Sequence, residues 1–317
     1  MKDYVIFAGD VALDEYYSAV RWPAIKEKIS VETLPAQCGG MIANAACVYA
    51  SMGTPTRFMG LMNDGLVTQR LLKDLEKSGV DTGLVLYDNK LPDSKTIIIL
   101  AEGEHTVFIP AMHIERIELK KEQFDALCGA AYIYSTASEM RRLRFGEMGF
   151  EEIIAAVRSA GAKIVYDLDV GYLEKEDEQF YRNINIAIFN EIGFNGYMGT
   201  RTAKQAVGDL LSYGTEAVVI TKAENGCTVY SPGGCFDSPA LPAKVVDVTG
   251  AGDTFCAAFL HAYRKTGDLE HSARFANTAA CICVESVGPR AGAVGENAVL
   301  ERMSQHRENR GRTLINQ

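Results

Sequence analysis

Hydrophobic and polar positions along the chain follow two alternating rhythms. Short, mostly apolar runs at residues 4–9, 57–62, 131–134, 163–167, 184–189 and 217–221 have the length and β-branched content of buried strands. Between several of them, apolar residues recur at helical spacing: after the Gly39-Gly40 pair up to Gly53, over 67–78 before Gly79, and over 150–160. Buried strands alternating with helices predict a doubly wound, mostly parallel sheet. Other segments break this rhythm. Residues 29–34 alternate apolar and polar positions, as a half-exposed strand does, and 93–100 with 106–109 read as a hairpin-like pair around Gly103. These predict a small β cover inserted in the larger domain, built from segments of about 15–37 and 92–110. Residues 227–230 with Phe236 form a second hairpin, 269–284 a helix, and the polar, arginine-bearing stretch 302–317 a frayed tail.

Composition narrows the function classes. A 317-residue chain that is 47% hydrophobic can bury one large α/β domain. It contains no run near the roughly 18 apolar residues of a membrane span. The apolar block at 4–9 is too short, and Asp10 too early, for a signal peptide. A net charge of −9 speaks against a nucleic-acid or anionic-membrane surface. The eight cysteines are scattered without a Cys-x-x-Cys pair, and Cys281 and Cys283 lie in an apolar run, so a reduced cytoplasmic protein without structural zinc is expected.

The chemistry concentrates in Asp247-Val248-Thr249-Gly250-Ala251-Gly252-Asp253-Thr254-Phe255. A strand end passes through two glycines into a helix on which Phe255, Ala258, Phe259 and Ala262 share a face and which Gly267 stops. Strand, Gly-Ala-Gly, helix is the layout of an anion site, because unpaired N–H groups at the helix start point outward and no β-carbon keeps a phosphate away. An acid in the first turn, Asp253, can simply favour the helix dipole. It can also accept a proton from a hydroxyl attacking a phosphate, while the amides of Gly250, Ala251 and Gly252 hold the developing charge. The nine residues closely resemble the signature of the ribokinase-like, or PfkB, carbohydrate kinases. That resemblance implies a three-layer α/β/α domain over 1–317 with a β lid, phosphorylation of a primary hydroxyl on a small neutral sugar, and ATP and Mg2+ as cofactors. It also implies a homodimer formed through the lid.

Other stretches agree with that family in order and spacing. Asp14 follows the first strand, where open sheets bind ligands, and matches the family's sugar-binding aspartate. Gly39, Gly40 and Asn44 open a small-residue helix suited to close backbone approach, and match the Gly-Gly-x-x-Ala-Asn element that contacts substrate. Asn190 and Glu191 resemble the Asn-x-x-Glu element that orients magnesium-bound phosphates. The expected glutamate position is Gly193, so either Glu191 substitutes or phosphates and water alone hold the ion. Thr221 and Gly226 match a nucleotide element with Ala223 where glycine is usual, and Asn277 faces the place where relatives bind adenine. By the same resemblance, carbonyls near Cys283, Ser286 and Gly288, with Asp247 and Thr249, form an oxygen cage for K+. Asp167 and Asp169 end a strand on the substrate side, and Val170-Gly171-Tyr172 follows where relatives acting on sugar acids carry an arginine, which suits a neutral polyol. A nucleoside kinase of the same fold and a non-catalytic sugar-binding regulator are the alternatives. No Gly-Lys-Ser/Thr occurs, and no Gly-x-Gly-x-x-Gly follows the first strand, so P-loop and dinucleotide sites are unsupported.

Overall fold

Both faces of the first strand, Val5–Ala8, are buried: Val5 and Phe7 enter one core, Ile6 and Ala8 the other. That is the signature of a parallel strand covered on both sides by helices. A computed structural model of the chain describes residues 2–169 and 178–315. In it, nine strands form one sheet in the spatial order 234–238, 227–231, 217–221, 186–190, 163–168, 132–135, 5–8, 56–59, 80–81. The pairings from 217–221 to 80–81 are parallel, and only the hairpin at one edge is antiparallel. One face carries the helices Met41–Ser51, Ala251–Thr266 and Leu269–Val284, and the other is packed by Phe150–Ser159 and Ala203–Ser212. After Val5–Ala8 the chain first adds strands on one side, then crosses to the other at Tyr132–Ser135. This reversal leaves a crevice beyond the carboxyl ends of the two strands, the usual place for a ligand in an open α/β sheet.

A second sheet of five strands lies off this path. Ala12–Ala19 runs parallel to Lys95–Ala101, which pairs with Glu104–Phe108, while Glu32–Thr33 and Gln37–Gly39 pair with its other edge. The hairpin expected around Gly103 is present. The half-exposed strand expected at 29–34 shrinks to Glu32–Thr33, both exposed, which pair with Ser18 and Tyr17, and one further backbone bond joins the Leu34 N–H to the Tyr16 carbonyl at 2.9 Å. The long strand is instead Ala12–Ala19, which has neighbours on both sides, so Asp14 sits within a strand rather than on a loop.

The tail differs as well. A helix runs Glu296–Ile315, anchored by fully buried Val299, by Met303 against the same core, and by Arg302 donating to Glu285 at 2.7 Å. Two apolar positions four residues apart suffice to dock this face, although the segment is polar in bulk. Cys281 and Cys283 are buried as expected, and all eight cysteines are free thiols. The stretch Val170-Gly171-Tyr172 lies outside the described residues.

Candidate active site

Two glycine-led helix starts meet over the crevice. In the first, Gly40 caps the helix Met41–Ser51 with φ 94°, and a β-carbon there would lie 2.6 Å from the Val11 Cα. Gly39, just before it, admits the carboxyl of Asp14, whose Oδ2 sits 2.0 Å from where a β-carbon would be. In the second, Gly250 caps Ala251–Thr266 in the left-handed region, φ 77°, with the Pro289 carbonyl 2.0 Å from its would-be β-carbon. Side chains are therefore excluded at these three positions by backbone or by the Asp14 carboxyl. Gly252 is different: it is exposed, and among the described residues nothing lies within 4 Å of a would-be β-carbon there.

Asn44 and Asp253 join the two starts. The Asn44 Nδ2 donates to Asp253 Oδ2 at 2.9 Å, linking positions 209 residues apart. Beside the carboxylate, the Ala251 N–H already donates to the Val248 carbonyl at 3.2 Å, whereas the N–H groups of Gly250, Gly252 and Asp253 have no acceptor among the described residues. The free donors for an anion therefore keep Gly250 and Gly252 of the expected set and exchange Ala251 for Asp253, in a helix start whose first N–H groups are orphaned.

Acids crowd this floor. Asp253 is held well above the usual carboxylate range, first by removal from water, with Asp167, Asp10 and Asp169 adding repulsion and Asn44 opposing. Asp14 is pushed up to about 6, again by burial first, with Thr96 and Arg290 opposing. Asp167, 5% exposed and hydrogen-bonded by the Tyr134 hydroxyl, is pushed up to about 7 by burial and by Asp169. Asp10 accepts from the Ile42 N–H at 3.2 Å and is also raised by the protein around it, although its surface reaches solvent. Solvent contact combined with a desolvated carboxyl describes a group lining a concavity.

Of the remaining expected residues, Asn190 and Thr221 end two interior strands of the sheet, Asn277 lies on the helix Leu269–Val284, and Asp247 and Gly288 lie in loops. Asn190 and Thr221 are register partners on adjacent strands. Asn190 caps the helix Glu191–Met198 by accepting from the Gly193 N–H at 2.7 Å, and Glu191 is exposed in its first turn. Gly193 has a packing reason: a β-carbon would lie 1.9 Å from the Leu168 carbonyl. Thr221 Oγ1 donates to the Phe189 carbonyl at 3.3 Å, and Gly226 has φ 84° with the Ser238 carbonyl 2.1 Å from a would-be β-carbon. Ala223, where glycine is usual, sits at φ 47°. Asn277 is buried, with Nδ2 donating to the Ser238 carbonyl and hydroxyl at 2.9 and 3.0 Å, so its amide nitrogen pins the hairpin rather than facing open space. Asp247 accepts from the Thr249 and Gly288 N–H groups, each at 2.9 Å, which joins the two loops of the expected cation cage.

Sequence reasoning missed Arg290. Its Nε donates to Asn44 Oδ1 at 3.1 Å, and its guanidinium pairs with Asp74. The signal available was a lone charged side chain in the small-residue loop Gly288-Pro289-Arg290-Ala291-Gly292.

Comparison with known proteins follows the same outline. The profile of the pfkB family carbohydrate kinases matches residues 6–294. The bifunctional protein HldE of Pseudomonas syringae pv. tomato is 25% identical over 330 residues, an alignment covering 98% of this chain and 65% of that protein. The chain thus spans just under two thirds of the length of such relatives. A ribokinase of Arabidopsis thaliana is 26% identical over 299 residues, covering 90% of this chain and 76% of the relative. The structure of Arabidopsis thaliana ribokinase complexed with ribose and ATP superposes with a TM-score of 0.81 at 25% identity, covering 95% of this chain and 98% of the other.

Proposed function

Because the chain belongs to the pfkB family of carbohydrate kinases, we propose that this sugar kinase moves the terminal phosphoryl group of ATP to a primary hydroxyl of a small neutral sugar, with Asp253 as general base. The observation that carries this reading is the Asp253 carboxylate, held by Asn44 beside the unpaired N–H groups of Gly252 and Asp253. Asp14, with Gly39, Gly40 and Asn44 around it, orients the sugar from the opposite wall. The acceptor hydroxyl gives its proton to Asp253 as the new phosphorus–oxygen bond forms, and the raised proton affinity of that carboxyl assists the late transfer. The free amides stabilise charge on the transferring group. Asn190, Thr221 and Gly226 lie along the edge that would carry the nucleotide, a use supported by the ATP complex of the Arabidopsis relative.

Magnesium, when bound, neutralises phosphate charge during transfer. Glu191, exposed in the first turn of its helix, is the side chain that would hold the ion if phosphates and water do not carry it alone. A K+ ion at the Asp247 and Gly288 loops would take backbone carbonyls as ligands, at a junction the Thr249 and Gly288 amides already tie to Asp247. The five-stranded sheet serves as a lid whose outer face pairs with a second copy. Just past its strand ends Val20 and Ile109 are 95% and 79% exposed, Ile25 in the adjoining loop is 94% exposed, and Trp22 of that loop stacks on Phe108 at 6.3 Å. Free thiols, and the lack among the described residues of a helix long and apolar enough to cross a membrane, suit the cytoplasm. The deciding experiment is Asp253→Asn, assayed for sugar-dependent ATP consumption. The kcat should fall by about two to four orders of magnitude with KM little changed, and near-normal turnover would reject the role.

A further inference from the structure

Arg290 is 14% exposed at its side chain and touches neither of the groups expected to react. Its three contacts fix it from different directions: the ion pair to Asp74 on the helix Leu66–Lys77, Nη2 to the Gly39 carbonyl at 3.5 Å, and Nε to Asn44 Oδ1 at 3.1 Å. A guanidinium has donors only, so it can meet the Asn44 carboxamide only at its oxygen. The NH2 group must then face the other way, where Asp253 Oδ2 accepts from it at 2.9 Å. We propose that Arg290 is a positioning residue for phosphoryl transfer: it locks the Asn44 carboxamide with its NH2 toward Asp253 and so keeps that carboxyl in the ionised form the base must start from. The inference rests on reading Asp253 as the proton acceptor.

The alternative orientation explains why a lock matters. The two ends of a carboxamide are nearly the same size, and packing alone discriminates weakly between them. Flipped, Asn44 would present Oδ1 to Asp253, where only a protonated carboxyl can donate to it. The surroundings already favour that protonated form. Asp10 after the first strand, Asp167 and Asp169 at the end of Lys163–Leu168, Tyr134 and the thiols of Cys256 and Cys283 all face Asp253, and none brings positive charge. Arg290 also opposes the protonation of Asp14, so one guanidinium acts on both walls of the crevice.

The test compares the wild-type 317-residue chain with Arg290→Met, Asn44→Ala and the double variant. Arg290→Met keeps the aliphatic stem and removes every donor. The Asp253 carboxyl is titrated by 13C NMR on aspartate-labelled protein, its signal assigned with Asp253→Asn, and the same chains are assayed for sugar-dependent ATP consumption across pH. Arg290→Met is expected to tighten proton binding at Asp253 about tenfold, one pH unit, and to move the acid limb of kcat/KM upward by the same amount. The double variant should titrate like Asn44→Ala alone. An unmoved Asp253 midpoint in Arg290→Met, or effects of the two single variants that add, would overturn the proposal. Should Arg290→Met lack a native near-UV circular dichroism spectrum, Asp74→Asn, which loosens the outer anchor, is expected to shift the midpoint the same way by a smaller factor, and no shift overturns it. The NMR midpoint is read without turnover. Activity surviving in Asp253→Asn would therefore reject the catalytic reading, and the role assigned to Arg290 with it, even where the amide lock itself is seen.

Discussion

Asp167→Asn isolates what the acidic floor does to stability. The wild-type carboxyl is 5% exposed, accepts from the Tyr134 hydroxyl and is raised from an ordinary value near 3.8 to about 7, chiefly by burial and then by Asp169. The native state therefore holds this proton over a pH range in which the unfolded chain has lost it, and stability falls as pH rises from about 4 through about 7. Three pH units at about 1.4 kcal/mol each put the full effect on the order of 4 kcal/mol, of which about 2–3 kcal/mol falls between pH 5 and 8. Asparagine has nearly the same shape, still accepts from Tyr134 and cannot ionise. For a chain of this length each kcal/mol moves Tm by about 1.5 °C. The Tm advantage of Asp167→Asn over wild type should accordingly be about 3–5 °C larger at pH 8 than at pH 5, read by calorimetry without ligands. Asp14 titrates in both chains and cancels in the difference, while losing the Asp167 charge also eases ionisation of Asp253, which adds to the difference in the same direction. Parallel Tm curves for the two proteins, or an advantage that grows toward acid, would refute the claim that this carboxyl is forced to bind its proton by burial.

Other expected outcomes follow from single positions. Gly193→Glu restores the family's usual residue but drives a β-carbon to within 1.9 Å of the Leu168 carbonyl. It should lower stability by about 1–3 kcal/mol in urea, and an unchanged midpoint would show that the strand end yields freely. Ala223→Gly relieves a side chain held at φ 47°. A net gain of up to about 1 kcal/mol is expected by guanidinium denaturation, after the added freedom of the unfolded chain is subtracted; a loss would mean the alanine is not strained. Phe108→Asp places a charge beside Trp22 on the exposed face of the second sheet. Sedimentation should show dimer for wild type and monomer for the variant, and an unaffected dimer would move the interface elsewhere.

Much of the architecture was legible in the chain because it rests on local pattern. Apolar runs such as 217–221 can be buried only as strands inside a covered sheet, and the Gly250 to Asp253 turn encodes its own helix start through backbone freedom and orphaned amides. Asp14, Gly39, Asn44 and Asp253 could be singled out one at a time for the same reason. Their meeting could not, since the order of strands in the sheet decides which loop ends share a crevice. The Asn44 to Asp253 contact spans 209 residues, and that of Arg290 to Asn44 spans 246, so neither leaves a periodicity to find. The strand Ala12–Ala19 was hidden because its half-buried polar residues take their stability from neighbours on both sides rather than from alternation. The orientation of Asn277 toward Ser238, the packing that reserves position 193 for glycine, and the docking of the tail helix through Val299 all depend on which surfaces arrive nearby. Residue types and local turns are properties of the chain; proton affinities, amide orientations and shared walls are properties of the neighbours that folding supplies.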